Sequence, residues 1–333
     1  MSNESVCQPP QTDSLPNHSV ASQERWRYIR SRILQSPDVG LRWVMKPLRS
    51  SVAALVVAAA FASTLTGQTS GGPETVVVHN GPVTLRALLW RPPGTGLFPA
   101  VLLNHGSARS AAELERLGPY ELQADVLGPV FARHGYVFLY LFRRGVGLTT
   151  GQGANAIDLM NQELAARDQE ARNELQLLLL ETREMSDAQS GLAFLRALPD
   201  VDAHDVALIG HSFGGSLTVL IAARDPNLRA IVVFSAAGYS WDRSPQLRAS
   251  LLTAVAHTSA PIFFIHAAND YSVASGKALD ARMQELGKTH RLKIYPPVGH
   301  TADDGHGFLY LDVSSWEPDV FSFLDEHMRE RHR

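Results

Sequence analysis

The sequence predicts an α/β domain: a doubly wound, mostly parallel sheet with a helical insertion before the strand that leads into its sharpest motif. Three observations predict it. Short apolar runs at 99–104, 136–142, 206–209, 230–234 and 262–266 carry no charged residue, as strands covered on both faces require. Helix-compatible segments separate these runs, and alternation of the two types implies parallel pairing through right-handed crossovers. Finally, Val206-Ala-Leu-Ile-Gly210-His-Ser212-Phe-Gly214-Gly-Ser-Leu217 passes from a strand-like run straight into a helix-compatible one.

Taken in order, Thr75-Val-Val-Val-His79 and Val83-Thr-Leu-Arg-Ala-Leu-Leu-Trp-Arg91 alternate as strands, and Pro92-Pro-Gly-Thr-Gly96 follows as a turn signal. The pair reads as an antiparallel hairpin ahead of the parallel strands. Helices are expected over 120–134, 155–184, 187–198, 213–224, 243–257, 275–287 and 316–330, and a last strand at Leu292-Lys-Ile-Tyr295. The 155–184 segment is longer than a simple crossover needs. Its Leu175-Gln-Leu-Leu-Leu-Leu180 run is too apolar to stand in water, so it is expected to pack on the body, with the role of a cap over a cleft as the alternative.

The folded domain is expected to cover 74–333 of the 333 residues. Residues 1–44 lack a sustained apolar period and read as a disordered or untranslated extension. From Met45 the chain turns basic, then apolar over the 12 residues 51–62, then small, with Ala60-Phe61-Ala62 in the form of a cleavage site. That apolar core suits an export signal over 45–66 and falls short of the ~20 residues that span a bilayer. The expectation is a translation start at Met45 and an exported protein, periplasmic or secreted. The alternative is a cytoplasmic tail with a short tilted anchor, in which case this segment would be the protein's contact with the membrane.

The single cysteine, Cys7, lies upstream of Met45, so the mature domain would have neither disulfides, thiolate catalysis nor cysteine-based zinc sites. The net charge is −3, from 30 basic and 33 acidic residues interspersed along the chain. That balance leaves no electrostatic footprint for nucleic acid. Sequons at Asn3 and Asn17 fall in the segment expected to be absent.

Gly210-His-Ser212-Phe-Gly214 has a mechanical reason. A strand turning sharply into a helix on one residue strains that residue's backbone, and side chains two positions before and after it would collide. Glycine at 210 and 214 removes the collision and lifts Ser212 above the sheet as a nucleophile. The following amide, that of Phe213, lies at a helix N-terminus, where a developing oxyanion can be stabilised.

A serine nucleophile needs a base and a carboxylate to orient it. Residues at the C-terminal ends of parallel strands can converge on it. Asp270, just past the run ending at His266, is the expected acid; Asn269 matches its shape but has no charge to stabilise an imidazolium. Two histidines, His300 and His306, occupy the loop after the last strand. His306 is favoured as base, because Gly305 and Gly307 would leave its ring free and Phe308 would anchor the loop in the core; His300 is the alternative. A metal site from His300, Asp303, Asp304 and His306 is a further reading of the same residues, set aside because a serine site already employs a histidine there. No cofactor is expected. The second oxyanion donor is expected at the amide of Ser107, with Gly106 letting the backbone turn toward the site. Arg143-Arg-Gly-Val-Gly147 reads as a glycine turn whose arginines bond nearby carbonyls or carboxylates.

Asn104-His-Gly, Gly210-His-Ser-Phe-Gly-Gly, the stretch from His266 to Asp270 and Gly305-His-Gly-Phe, in the order Ser, Asp, His, resemble the α/β-hydrolase superfamily. More narrowly they are similar to its dienelactone hydrolase and prolyl-oligopeptidase-like branch, whose members often show a helix ending like Ala193-Phe-Leu-Arg-Ala-Leu-Pro before the nucleophile strand. The resemblance covers about residues 75–330. It implies an α/β-hydrolase fold, hydrolysis of a small-molecule ester through an acyl-serine intermediate, and His306 as base. Serine replaces the cysteine of true dienelactone hydrolases, which puts dienelactone itself in doubt as substrate, and the loop from Tyr295 to His306 is longer than usual. A peptidase of the prolyl-oligopeptidase type and a non-catalytic binding module on the same scaffold are the competing readings.

Overall fold

Two antiparallel strands, β1 (Glu74–Asn80) and β2 (Val83–Trp90), open the sheet, with Val78 opposite Leu85. The computed structural model describes residues 72–108 and 111–328. The expectations placed on 1–71, including the export segment, its cleavage site, Cys7 and the two sequons, lie outside the described residues. Among the described residues no helix is long and apolar enough to cross a membrane.

The remaining strands are β3 (Phe98–Asn104), β4 (Val137–Phe142), β5 (Val201–His211), β6 (Ala230–Phe234), β7 (Ile262–Ala267) and β8 (His290–Tyr295). They form one eight-stranded sheet in the order β1-β2-β4-β3-β5-β6-β7-β8. β2 joins β4 antiparallel, and every pairing from β4 through β3 to β8 is parallel. β5 begins five residues before the expected 206, because Val201 pairs with Phe98 across an irregularity between Phe98 and Ala100.

The uncharged runs follow from burial on both faces. Along β3, Ala100 and Leu102 join one core while Val101 and Leu103 join another; along β5, Val206 and Leu208 separate from Ala207 and Ile209 in the same way. Each fully buried leucine or valine contributes about 2 kcal/mol relative to exposure. A polar residue on either face would therefore cost stability, which is why the period-2 signature of a half-buried strand is missing.

One layer over the sheet contains α3 (Ala156–Ala166), α4 (Gln169–Glu181), α5 (Arg183–Arg196), α6 (Phe213–Ala222), α7 (Pro245–His257) and α8 (Ala274–Glu285). The opposite face is covered by α2 (Tyr120–Arg133) and α11 (Val313–Met328), whose Trp316, Phe323 and Leu324 are buried. Short helices α1 (Ala111–Leu117), α9 (Ala302–His306) and α10 (Phe308–Leu311) lie in loops beyond strand ends. The single helix expected over 155–184 is two, because the Asp168 carboxylate accepts the Ala171 N–H and caps a new start; N-capping of this kind competes with helix continuation. Leu179 and Leu180 are buried in the core, and Leu175 and Leu177 pack against it. The insertion thus packs on the body as expected, and α4 also walls a cleft.

Candidate active site

At the end of β5 the backbone of Ser212 adopts φ 55° and ψ −114°, a left-handed setting that costs a non-glycine residue on the order of 1–3 kcal/mol. It is over-determined by its surroundings. Ser212 donates its N–H to Phe234 O at 2.9 Å, and its own carbonyl accepts the Ser216 N–H at 3.0 Å as α6 begins. A Cβ at Gly210 would overlap Gly214 O and Thr218 Oγ1, and one at Gly214 would overlap Asn104 O. Both glycines are therefore steric necessities of the turn. Phe213 is the first residue of α6, so its N–H has no acceptor within the helix.

β7 carries the carboxylate. After Ala267 the chain turns, Asp270 donating its N–H to Ala267 O at 3.0 Å, and the Asp270 side chain is buried. Its Oδ1 lies 2.7 Å from His306 Nδ1 and also accepts the Tyr271 N–H at 2.7 Å, while Oδ2 lies 2.8 Å from His266 Nδ1. Burial alone would raise the pKa of this carboxyl, but attraction to His306 and hydrogen bonds from His266 and His306 outweigh it and hold the pKa well below the usual carboxylate range.

α9 delivers the imidazole. Thr301 and Asp304 form a reciprocal capping box at its start, and its last residue, His306, presents Nε2 at 2.7 Å from Ser212 Oγ. Phe308 is buried behind it. The flanking glycines serve a different purpose from the ring freedom expected of them. A Cβ at Gly305 would fall 2.5 Å from the Asn269 carbonyl carbon, and one at Gly307 2.8 Å from Leu117, so they allow α9 to press against its neighbours. Asn269 itself holds the loop, its side chain bonding Val298 and Thr301. His300 is exposed and gives its N–H to Asp304. Asp304 also accepts from Thr301 and, with Asp303, faces Arg116. Among the described residues no group of three His, Cys, Asp or Glu side chains could hold a metal ion.

The loop after β3 passes over the serine: a Cβ at Gly106 would come 2.6 Å from His211 Nδ1 and 3.4 Å from Ser212 Cβ. Ser107 lines the recesses on both sides of Ser212. Arg143, buried at the end of β4, ties this loop down, donating from Nη2 to His105 O at 2.9 Å and from Nε to Glu184 at 2.8 Å. Asn104 donates to Thr218 Oγ1 and Tyr120 accepts the Ala108 N–H. His211, next to the serine, donates from Nε2 to His306 O at 2.7 Å. A carbonyl cannot donate, so this distance requires the proton on Nε2. Burial, followed by repulsion from His306, lowers its pKa to about 3.

Beside Ser212 a solvent-open cleft of about 370 Å³ is lined by Ile157, Met160, Arg172, Gln176, Phe213 and Tyr239. Arg172 is buried, bonds Gln176 Oε1 at 3.3 Å, and among the described residues pairs with no carboxylate. Sequence reasoning did not single out Arg172, His211 or His266. His266 alone left a signal, standing four residues before the expected acid at the end of an apolar run.

A sheet of this order, with a strained serine between its fifth strand and the following helix, is the α/β-hydrolase fold. The chain belongs to the dienelactone hydrolase family, whose pattern matches residues 124–309. Its fold is similar to a putative dienelactone hydrolase of Klebsiella pneumoniae (17% identity, 78% of this chain and 100% of that one, TM-score 0.53). It is similar also to the acylaminoacyl peptidase of Pyrococcus horikoshii (15% identity, 79% and 42%, TM-score 0.54). Among curated proteins it resembles the quorum-quenching protein AidA of Acinetobacter baumannii, with 23% identity over 160 residues. That match covers 48% of this chain and 42% of AidA, so it spans less than half of the curated relative's length.

Proposed function

We propose that the protein hydrolyses carboxylic esters of small molecules through an acyl-serine intermediate. The observation that carries this is the chain Ser212 Oγ, His306 Nε2, His306 Nδ1, Asp270 Oδ1, with both contacts at 2.7 Å. In the proposed reaction His306 removes the Ser212 proton as Oγ attacks the acyl carbonyl. The negative charge moves to the carbonyl oxygen, held by the Phe213 and Ser107 amides. Collapse returns the proton from His306 to the departing alcohol and leaves the acyl group on Ser212. Water, deprotonated by the same imidazole, then attacks the acyl-enzyme; the acid departs and Oγ regains its proton. Asp270 stays ionised throughout and holds the proton of the resting imidazole on Nδ1.

The cleft adds a preference. A buried guanidinium at Arg172 beside Gln176 favours acyl groups that bring a carbonyl or carboxylate oxygen to it over plain alkyl chains. The experiment is covalent labelling of Ser212 by a fluorophosphonate together with turnover of a panel of p-nitrophenyl esters, carboxylate-bearing esters and aminoacyl amides. Labelling with ester turnover supports the proposal, turnover of amides alone assigns a peptidase, and absence of both defeats catalysis on this site. We further propose export through the 45–66 segment; retention in the cytosol of a protein begun at Met45 would count against it.

A further inference from the structure

We infer that His266 is a positioning residue of this site: it donates its Nδ1 proton to Asp270 Oδ2, fixing the carboxylate and setting how strongly His306 takes up a proton. The inference rests on the triad reading above and adds a residue that reading does not use. The contact is 2.8 Å and both side chains are almost wholly buried, at 2% and 0% exposure.

The tautomer follows from the partners. An ionised carboxylate only accepts, so the contact requires the proton on Nδ1. The other ring nitrogen, Nε2, faces Ser275 Oγ at 3.5 Å and the first turn of α8, where a Cβ at Gly276 would stand 2.7 Å from it. The partial positive charge of a helix N-terminus opposes a second proton there. His266 is thus a one-directional donor locked between β7 and α8, and its proton is not transferred.

Two consequences reach the base. With Oδ2 occupied, the carboxylate cannot rotate to present its other oxygen, so Oδ1 stays aligned with His306 Nδ1 and Tyr271 N. The donor also draws charge away from Oδ1 and so moderates the attraction that stabilises an imidazolium at His306. Other groups face His306 as well. The His211 ring lies 5.1 Å away and the Tyr271 ring 4.7 Å. Glu113 lines the same recess, and Asp303 and Asp304 on α9 face Arg116 of α1. None of these groups is a hydrogen-bond partner of His266, whose ring nitrogens face Asp270 and Ser275.

The test is the pH profile of kcat/KM for a p-nitrophenyl ester in the full chain and in the variants His266→Phe and His266→Asn, the latter carrying an amide nitrogen where Nδ1 stands. Loss of the donor strengthens the attraction of Asp270 for an imidazolium. In His266→Phe the acid limb should therefore move up by roughly half to one pH unit, with kcat falling about tenfold and KM changing less than about twofold. His266→Asn should return the limb to its wild-type position. Nitrogen NMR of the unaltered protein should show His266 protonated on Nδ1 and bare on Nε2, a readout that needs no turnover and no variant to fold. Superimposable acid limbs in wild type and His266→Phe, or an Nε2–H tautomer, would overturn the inference. Absence of Ser212 labelling in the wild type would instead overturn the ester-hydrolase reading, whatever the tautomer.

Discussion

Asp270 and His306 meet at 2.7 Å between Oδ1 and Nδ1 although they are 36 residues apart and arrive on different elements, the turn after β7 and the helix α9. The contact makes Nδ1 the protonated nitrogen of the resting imidazole and leaves Nε2 bare toward Ser212. Asp270→Asn keeps the shape but removes the charge that selects this tautomer and stabilises the imidazolium. Its kcat on a p-nitrophenyl ester should fall about 10³–10⁴-fold. A loss smaller than tenfold would be incompatible with Asp270 as the orienting acid.

His300 and His306 lie six residues apart and play opposite parts. The former is exposed and offers only its backbone N–H to Asp304, while the latter touches Ser212 through Nε2. His306→Ala should lose about 10⁶ in kcat, comparable to Ser212→Ala, because members of such a unit fail together. His300→Ala should stay within about twofold of wild type, as surface changes away from a site do. Steady-state turnover of the two variants side by side decides between them, and an inactive His300→Ala with an active His306→Ala would reverse the assignment.

The site was partly legible in the sequence because some of its parts are local. Gly210-x-Ser212-x-Gly214 marks a backbone turn whose sterics need particular residues at fixed spacing, and Asp270 follows directly on an uncharged run. The choice between His300 and His306 was harder: both lie in one loop, and only the capped helix at 301–306 directs one ring at the serine. The expected ring freedom beside Gly305 and Gly307 missed the close packing those residues allow. Arg172 and His211 escaped for a further reason. A buried arginine on an amphipathic helix and a histidine within a motif's variable position look ordinary until tertiary contacts show what surrounds them. The break between α3 and α4 depended on one capping aspartate within a segment that otherwise favours continued helix.

Gly214 shows how much of the motif is packing. The overlap of an added methyl with the Asn104 and His105 carbonyls involves backbone on both sides, so neither neighbour can swing away. Gly214→Ala should lower unfolding stability by about 3 kcal/mol or more. Gly72→Ala is the control, since nothing lies within 4 Å of a Cβ there. Thermal or urea unfolding of both variants checks this; equal midpoints would show that the turn relaxes freely.

Acid stability should be governed first by His211. Its folded-state pKa of about 3 lies below the ~6.5 of an unfolded histidine, so as pH falls from about 6.5 toward 3 the unfolded chain binds a proton that the folded site refuses. Each pH unit in that window costs about 1.4 kcal/mol from this group alone. His105, lowered by burial and by Arg143, adds to the loss in the same direction. Asp270 contributes later: its depressed carboxyl stabilises the fold above the ordinary carboxylate range and releases that stability only below about pH 4. His211→Asn should therefore flatten the dependence of unfolding free energy on pH between 6.5 and 4.5 relative to wild type, even if its stability at pH 8 is lower. Urea unfolding across that range measures the slope directly, and parallel slopes for the two proteins would show that His211 takes up its proton in the folded state without cost.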